Sequence, residues 1–142
     1  MEKDVNRLRQ LQAEGMGCAQ IFVRLGLELL GEQNERMVRA ASGLCGGVQC
    51  GLLCGSLTGA ATMLSLFDET LAAEEMIPKL ARWFQGHGEE AFGGTDCNHI
   101  LEGSMENFTL RCTGLIEEVY RKAREILEEF GFDLKGMAEG AF

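Results

Sequence analysis

The chain has 142 residues, 46% of them hydrophobic, with a formal net charge of -9 and a single proline. That length can bury a core in one domain spanning residues 1–142, and the composition is globular rather than disordered. The negative charge argues against nucleic acid and anionic membrane surfaces as partners.

The periodicity is helical throughout, with no alternating strand pattern and no internal repeat. Asp4 to Glu14 reads as an amphipathic helix with Val5, Leu8, Leu11 and Gln12 along its seam, ended by Gly15 and Gly17. Cys18 opens a second helix to Leu30, with Cys18, Phe22, Leu25 and Leu29 on the inner face and Gly31 as the stop. Asn34 caps a third, Glu35 to Leu44, in which Met37, Val38, Ala41 and Leu44 face inward.

Ser42 to Phe67 carries three cysteines, six glycines and no charge. It predicts a tight loop feeding a buried central helix that starts near Gly51. Gly51, Gly55 and Gly59 would then line one face, open to close approach by another helix or a second subunit, and Cys50 and Cys54 would share a side. The uncharged run from Ala40 is long enough to cross a bilayer, but its first part is too rich in glycine and polar residues. A core helix is therefore the expected form, with no membrane span.

Glu69 to Met76 leads into Pro78, which suits the first turn of a helix running to Phe92, with Leu80, Trp83, Phe84 and His87 on its apolar side. Gly86 and Gly88 weaken its second half. Gly93-Gly94-Thr95-Asp96 forms a loop ending in a cap, which delivers Cys97 into a short helix to Leu101. Thr109 to Phe130 predicts the last long helix, with Leu115, Val119, Ala123, Ile126 and Phe130 as its stripe and Glu117 paired with Arg121. The tail from Gly131 is weakly specified. The fold class is all-α: a single compact domain of six or seven helices around the glycine-rich one.

Met1 to Gln12 is charged and lacks the apolar stretch of a secretory leader, so the expected location is the cytoplasm. In that reducing compartment six cysteines suggest metal or redox work more than structural disulfides. Cys18, Cys54 and Cys97 each follow a glycine-containing turn and stand at a helix start, and Cys112 stands near the start of the last helix. Unpaired N–H groups and the positive end of the helix dipole favour thiolate there, the form that binds metal or attacks a disulfide.

Other signals are weaker. Cys97-Asn98-His99 lacks the second cysteine of a haem attachment site, His87 reads as a helix-side residue, and the glycine loop lacks the ending of a phosphate-binding loop.

The pattern resembles the redox-active family named for its C-GCAxxG-C-C cysteines, a domain also related to one in the split-Soret cytochromes c. The residues that carry the resemblance are Cys18-Ala19-Gln20, Ala41-Ser42-Gly43, Cys54-Gly55-Ser56-Leu57-Thr58-Gly59, Cys97 and Cys112, over about Asp4 to Phe130. The resemblance implies a small helical domain whose four cysteines converge, with an iron–sulfur site in the cytochrome relatives. Ser56 stands where the family has alanine. Cys45 and Cys50 are additional, and their Cys-x4-Cys-x3-Cys spacing through Cys54 matches no standard zinc or ferredoxin motif. They could join the site, form a resolving disulfide, or pack.

The leading expectation is a redox protein holding an iron–sulfur cluster or other thiolate-bound metal on Cys18, Cys54, Cys97 and Cys112, and passing electrons to a partner protein. The alternatives are a metal-free thiol–disulfide protein and a structural or partner-binding helical module whose cysteines only pack. A helical homodimer is a further expectation, from the glycine face.

Overall fold

The computed structural model describes residues 2–104 and 106–142, and among these there is no strand, only an isolated antiparallel bridge between Leu53 and Asp96. The helices are α1 (Lys3–Ala13), α2 (Cys18–Leu29), α3 (Glu35–Ala40), α4 (Gly55–Phe67), α5 (Glu69–Leu71), α6 (Ile77–Phe92), α7 (Cys97–Leu101), α8 (Thr113–Glu129) and α9 (Leu134–Ala141). No helix among the described residues is long and apolar enough to cross a membrane.

The architecture is organised by the contact between α2 and α4. A Cβ at Gly59 would stand 2.7 Å from Ala19 Cα, one at Gly26 would stand 2.8 Å from Met63 Cγ, and one at Gly55 would stand 2.5 Å from Cys18 Sγ. Residues advancing along α4 thus meet residues advancing along α2. The two helices run parallel with their N-termini together. Small residues permit the approach, so helix ends that are distant in sequence meet at one place. The face formed by Gly55 and Gly59 is filled by α2, the close helix approach that the glycine spacing led one to expect.

Around this pair, α1, α6, α8 and α9 close the core, where Leu8, Leu11, Phe22, Leu25, Met63, Leu64, Met76, Leu80, Phe84 and Tyr120 are all inaccessible or nearly so. The predicted stripes hold: Val5, Leu8 and Leu11 of α1, Leu80 and Phe84 of α6, and Leu115, Val119, Ala123 and Ile126 of α8 are buried. Pro78 lies in the first turn of α6, preceded by a widened π-type turn at Ala72–Met76. A proline lacks the N–H that would bond back to residue 74, and the wider turn absorbs that loss. Gly88 does not break α6. Its missing side chain admits the Gly94 carbonyl, and its own carbonyl accepts from Gly94 N–H at 3.2 Å.

Four local expectations are corrected. The central helix begins at Gly55, not near Gly51. Gly46 to Gln49 and Gly51 adopt left-handed backbone, including Val48 (φ 59°) and Gln49 (φ 58°), and the chain folds tightly because a Cβ on Gly47 would meet the Leu52 backbone at 2.3 Å. Cys50 therefore lies in a loop and does not share a helix side with Cys54. The third helix ends at Ala40 and passes into a 3-10 turn, Ala41–Leu44. The last long helix begins at Thr113, after a widened turn at Phe108–Cys112. The tail is ordered into α9, which buries Leu134 and Ala138 and raises the helix count above the six or seven expected.

Candidate functional site

The parallel packing of α2 and α4 brings Cys18, the first residue of α2, next to Cys54, the N-cap of α4. Two further segments deliver their partners. Cys45 leaves the 3-10 turn after α3, and its Sγ would lie 2.6 Å from a Cβ at Gly17. Cys97, the first residue of α7, is held beside Cys54 by the bridge: Cys54 N–H donates to Thr95 O at 3.1 Å and Cys97 N–H to Leu52 O at 2.7 Å. Gly17 and Gly55 are thus the spaces in which the Cys45 and Cys18 sulfurs sit. Gln20 ties the outer part together, accepting from Gly17 N–H at 3.2 Å and donating to Val38 O at 3.2 Å.

The sulfurs lie in two pairs, Cys18 with Cys45 and Cys54 with Cys97, each close enough for one to act on the ionisation of the other. No cysteine is in a disulfide, and Cys45 Sγ also lies 3.8 Å from the Ala41 carbonyl oxygen. In the outer pair, Cys18 and Cys45 are both partly accessible. The Cys18 S–H beside it, and the backbone N–H groups of Gln20 and Ala19 at the start of α2, hold the Cys45 thiol down at about 6. The same contact pushes the Cys18 thiol up, helped by burial. The inner pair repeats the arrangement with both members buried, Cys54 at 4% and Cys97 at 8% exposure. The Cys54 S–H holds Cys97 down at about 7, with Gly55 N–H adding to the effect. Cys54 is pushed up by Cys97 and by burial, partly offset by the N–H and hydroxyl of Ser56. Each pair therefore favours one thiolate beside one thiol, the outer pair above about 6 and the inner pair above about 7.

Cys112 stands close enough for its charge to be felt at Cys97, and it feels that of Cys54. Its backbone is helical on both sides of the residue, so no free helix end favours its thiolate. Burial pushes its thiol up to about 11, against the expectation drawn from the helix dipole. Cys50 is exposed in the left-handed loop. His87 lies elsewhere, stacked on Trp83 with its Nε2 2.8 Å from Glu118. Asp96 is the N-cap residue of α7, but its side chain makes no capping hydrogen bond there.

Two participants were not evident from sequence. Cys45 stood apart as an extra residue, because nothing local tells that a glycine-flanked loop returns to the start of α2. Ser56, noted above only as standing where the family has alanine, is 2% exposed and turns its hydroxyl toward the Cys54 sulfur.

The donor set is thiolate-rich, yet among the described residues no group of three or more His, Cys, Asp or Glu side chains is placed to hold a metal ion. A single bound ion does not fit this arrangement. A cluster on Cys18, Cys54, Cys97 and Cys112 would have to draw Cys18 from Cys45 and Cys54 from Cys97.

No curated protein and no solved structure matches the chain. A family model described as "Putative redox-active protein (C_GCAxxG_C_C)" matches residues 16–126, a span that contains all six cysteines. With that much of its length matched, the chain belongs to the redox-active C-GCAxxG-C-C family.

Proposed function

We propose that the protein is a thiol–disulfide redox protein whose working pair is Cys18 and Cys45. The observation that carries this reading is the direct pairing of two partly accessible thiols, one at the first residue of α2 and the other facing the N–H groups of that helix's first turn.

The Cys45 thiolate attacks one sulfur of a substrate disulfide. A bond forms between Cys45 and that sulfur, the substrate S–S bond breaks, and its second sulfur leaves as a thiolate. Cys18 then gives up its proton to the departed thiolate and attacks the Cys45 sulfur. The Cys18–Cys45 bond forms, and the first substrate sulfur leaves with the electron pair. The protein loses two electrons and the substrate gains them. The Ala19 and Gln20 N–H groups hold the thiolate in place, and the low value at Cys45 keeps it ionised at neutral pH while leaving it nucleophilic.

The cluster reading predicts a different protein: brown, iron-containing and dependent on Cys112. Anaerobic purification followed by iron analysis and thiol titration separates the two. The proposed function predicts colourless, iron-free protein in which a small disulfide joins Cys18 to Cys45 and reduction restores both thiols. Stoichiometric iron with visible absorbance, bound through Cys18, Cys54, Cys97 and Cys112, would overturn it.

A further inference from the structure

The inner pair has no direct route to a large disulfide, because both of its sulfurs are buried. It does have a neighbour. Cys18 Sγ lies over Gly55, the residue after Cys54, and the charge of Cys54 is felt at Cys18. The bridge between Leu53 and Asp96 holds Cys97 beside Cys54. Neighbouring contacts thus link the sulfurs in the order Cys45, Cys18, Cys54, Cys97, from the two partly accessible ones to the two buried ones. We propose that Cys54 and Cys97 form a second redox site, oxidised by disulfide transfer from the Cys18–Cys45 pair. This rests on the function proposed above and adds an internal relay to it.

The step balances within the chain. Starting from the Cys18–Cys45 disulfide, Cys54 passes its proton along the hydrogen bond to Cys97 and attacks the Cys18 sulfur. The Cys18–Cys54 bond forms, the Cys18–Cys45 bond breaks, and the electron pair leaves on Cys45. Cys97 then loses the proton to water and attacks the Cys54 sulfur. The Cys54–Cys97 bond forms and the electron pair leaves on Cys18, which takes up a proton. Two electrons move from the inner pair to the outer pair, and one proton ends on Cys18 in place of Cys54.

The direction of attack follows from the leaving group. Cys45 is the better-stabilised thiolate, with two N–H groups of α2 facing it, so the Cys18 sulfur is the favoured target. It is also the outer sulfur next to Cys54. Cys112 does not compete, because burial keeps its thiol protonated at neutral pH.

The test uses the full chain treated with oxidised glutathione, quenched with an alkylating agent at intervals and mapped by non-reducing peptide mass spectrometry. In the wild type, Cys18–Cys45 should appear first and Cys54–Cys97 later, as the first declines. In Cys97→Ser the second step has no nucleophile, so a Cys18–Cys54 disulfide should accumulate. In Cys18→Ser, oxidation of the inner pair should be roughly tenfold slower or more, since exchange rates depend on access. Because Cys97→Ser also removes the acceptor of the Cys54 proton, this variant is read at alkaline as well as neutral pH, and the relay is overturned if Cys18–Cys45 forms normally while Cys18–Cys54 appears at neither. It is equally overturned if Cys54–Cys97 forms in Cys18→Ser at the wild-type rate. Failure of the wild type to form Cys18–Cys45 at all would overturn the proposed function, and the relay with it.

Discussion

At the scale of single residues, each sulfur pair is an arrangement for keeping one proton between two thiols. Cys45 titrates at about 6 because Cys18 and the first turn of α2 donate to it. Its alkylation rate, followed against pH with mass-spectrometric readout, should therefore rise to a plateau with a midpoint near 6. Cys18→Ala removes the nearest donor and should move that midpoint upward, toward the ordinary thiol value of 9.0. An unchanged midpoint would mean that the pair does not exist in solution. Glycine carries the complementary role. A Cβ on residue 55 would meet Cys18 Sγ at 2.5 Å and the Leu44 carbonyl at 2.9 Å, and the carbonyl is backbone that cannot swing aside. Gly55→Ala should cost about 1–3 kcal/mol in chemical denaturation, as overpacking does, and should also slow Cys18–Cys45 disulfide formation. Loss of stability with unaltered disulfide formation would show that Gly55 serves packing alone.

At the scale of elements, the site depends on α2 and α4 arriving in parallel, and on α1 being locked across α8. That lock is a buried carboxylate. Asp4 is 4% exposed, accepts from the Tyr120 hydroxyl at 2.6 Å and lies 3.1 Å from Arg124, while Glu2 bridges Arg121 at 2.6 Å and Arg124 at 2.7 Å. Burial and the Asp4 carboxylate push the Tyr120 hydroxyl well above its usual range, and Arg121 and Arg124 draw Glu2 down to about 2. Asp4→Ala leaves a buried hydroxyl unpaired and an arginine half-satisfied. The expected loss is about 3 kcal/mol by denaturant titration, because removing one partner of a buried pair exposes the full desolvation penalty of the rest. A loss under 1 kcal/mol would place that network at the surface in solution. The core stripes of α1, α6 and α8 were legible in sequence because helical periodicity is a local signal. The start of α4 was not: Gly51 fits a helical spacing, but Gly47 lets the chain turn onto the Leu52 backbone, and only tertiary contact decides between the two. Three of the four paired cysteines were legible as helix starts. The partnership of Cys18 with Cys45 was not, since it spans two helices and a loop and leaves no spacing rule behind.

At the scale of the whole molecule, the thiol pairs link redox state to stability. In the reduced protein, Cys45 and Cys97 are deprotonated above about 6 and about 7, whereas an unfolded thiol holds its proton to about 9. Between those values the unfolded chain binds more protons, so stability rises with pH. Above about 9 the balance reverses, because Cys18 and Cys54, whose thiols are raised, keep protons that the unfolded chain has lost. Denaturation midpoints of the reduced protein should therefore contain a cysteine-dependent maximum near pH 9, absent from a Cys18→Ala/Cys54→Ala variant. The same maximum in that variant would contradict the shared-proton arrangement. The most direct measurement of the central claim is the first disulfide that the native chain forms. After brief exposure to one equivalent of oxidised glutathione, peptide mapping should recover Cys18 joined to Cys45. Recovery of Cys18 and Cys45 as separate alkylated thiols, with oxidation confined to the exposed Cys50, would contradict it.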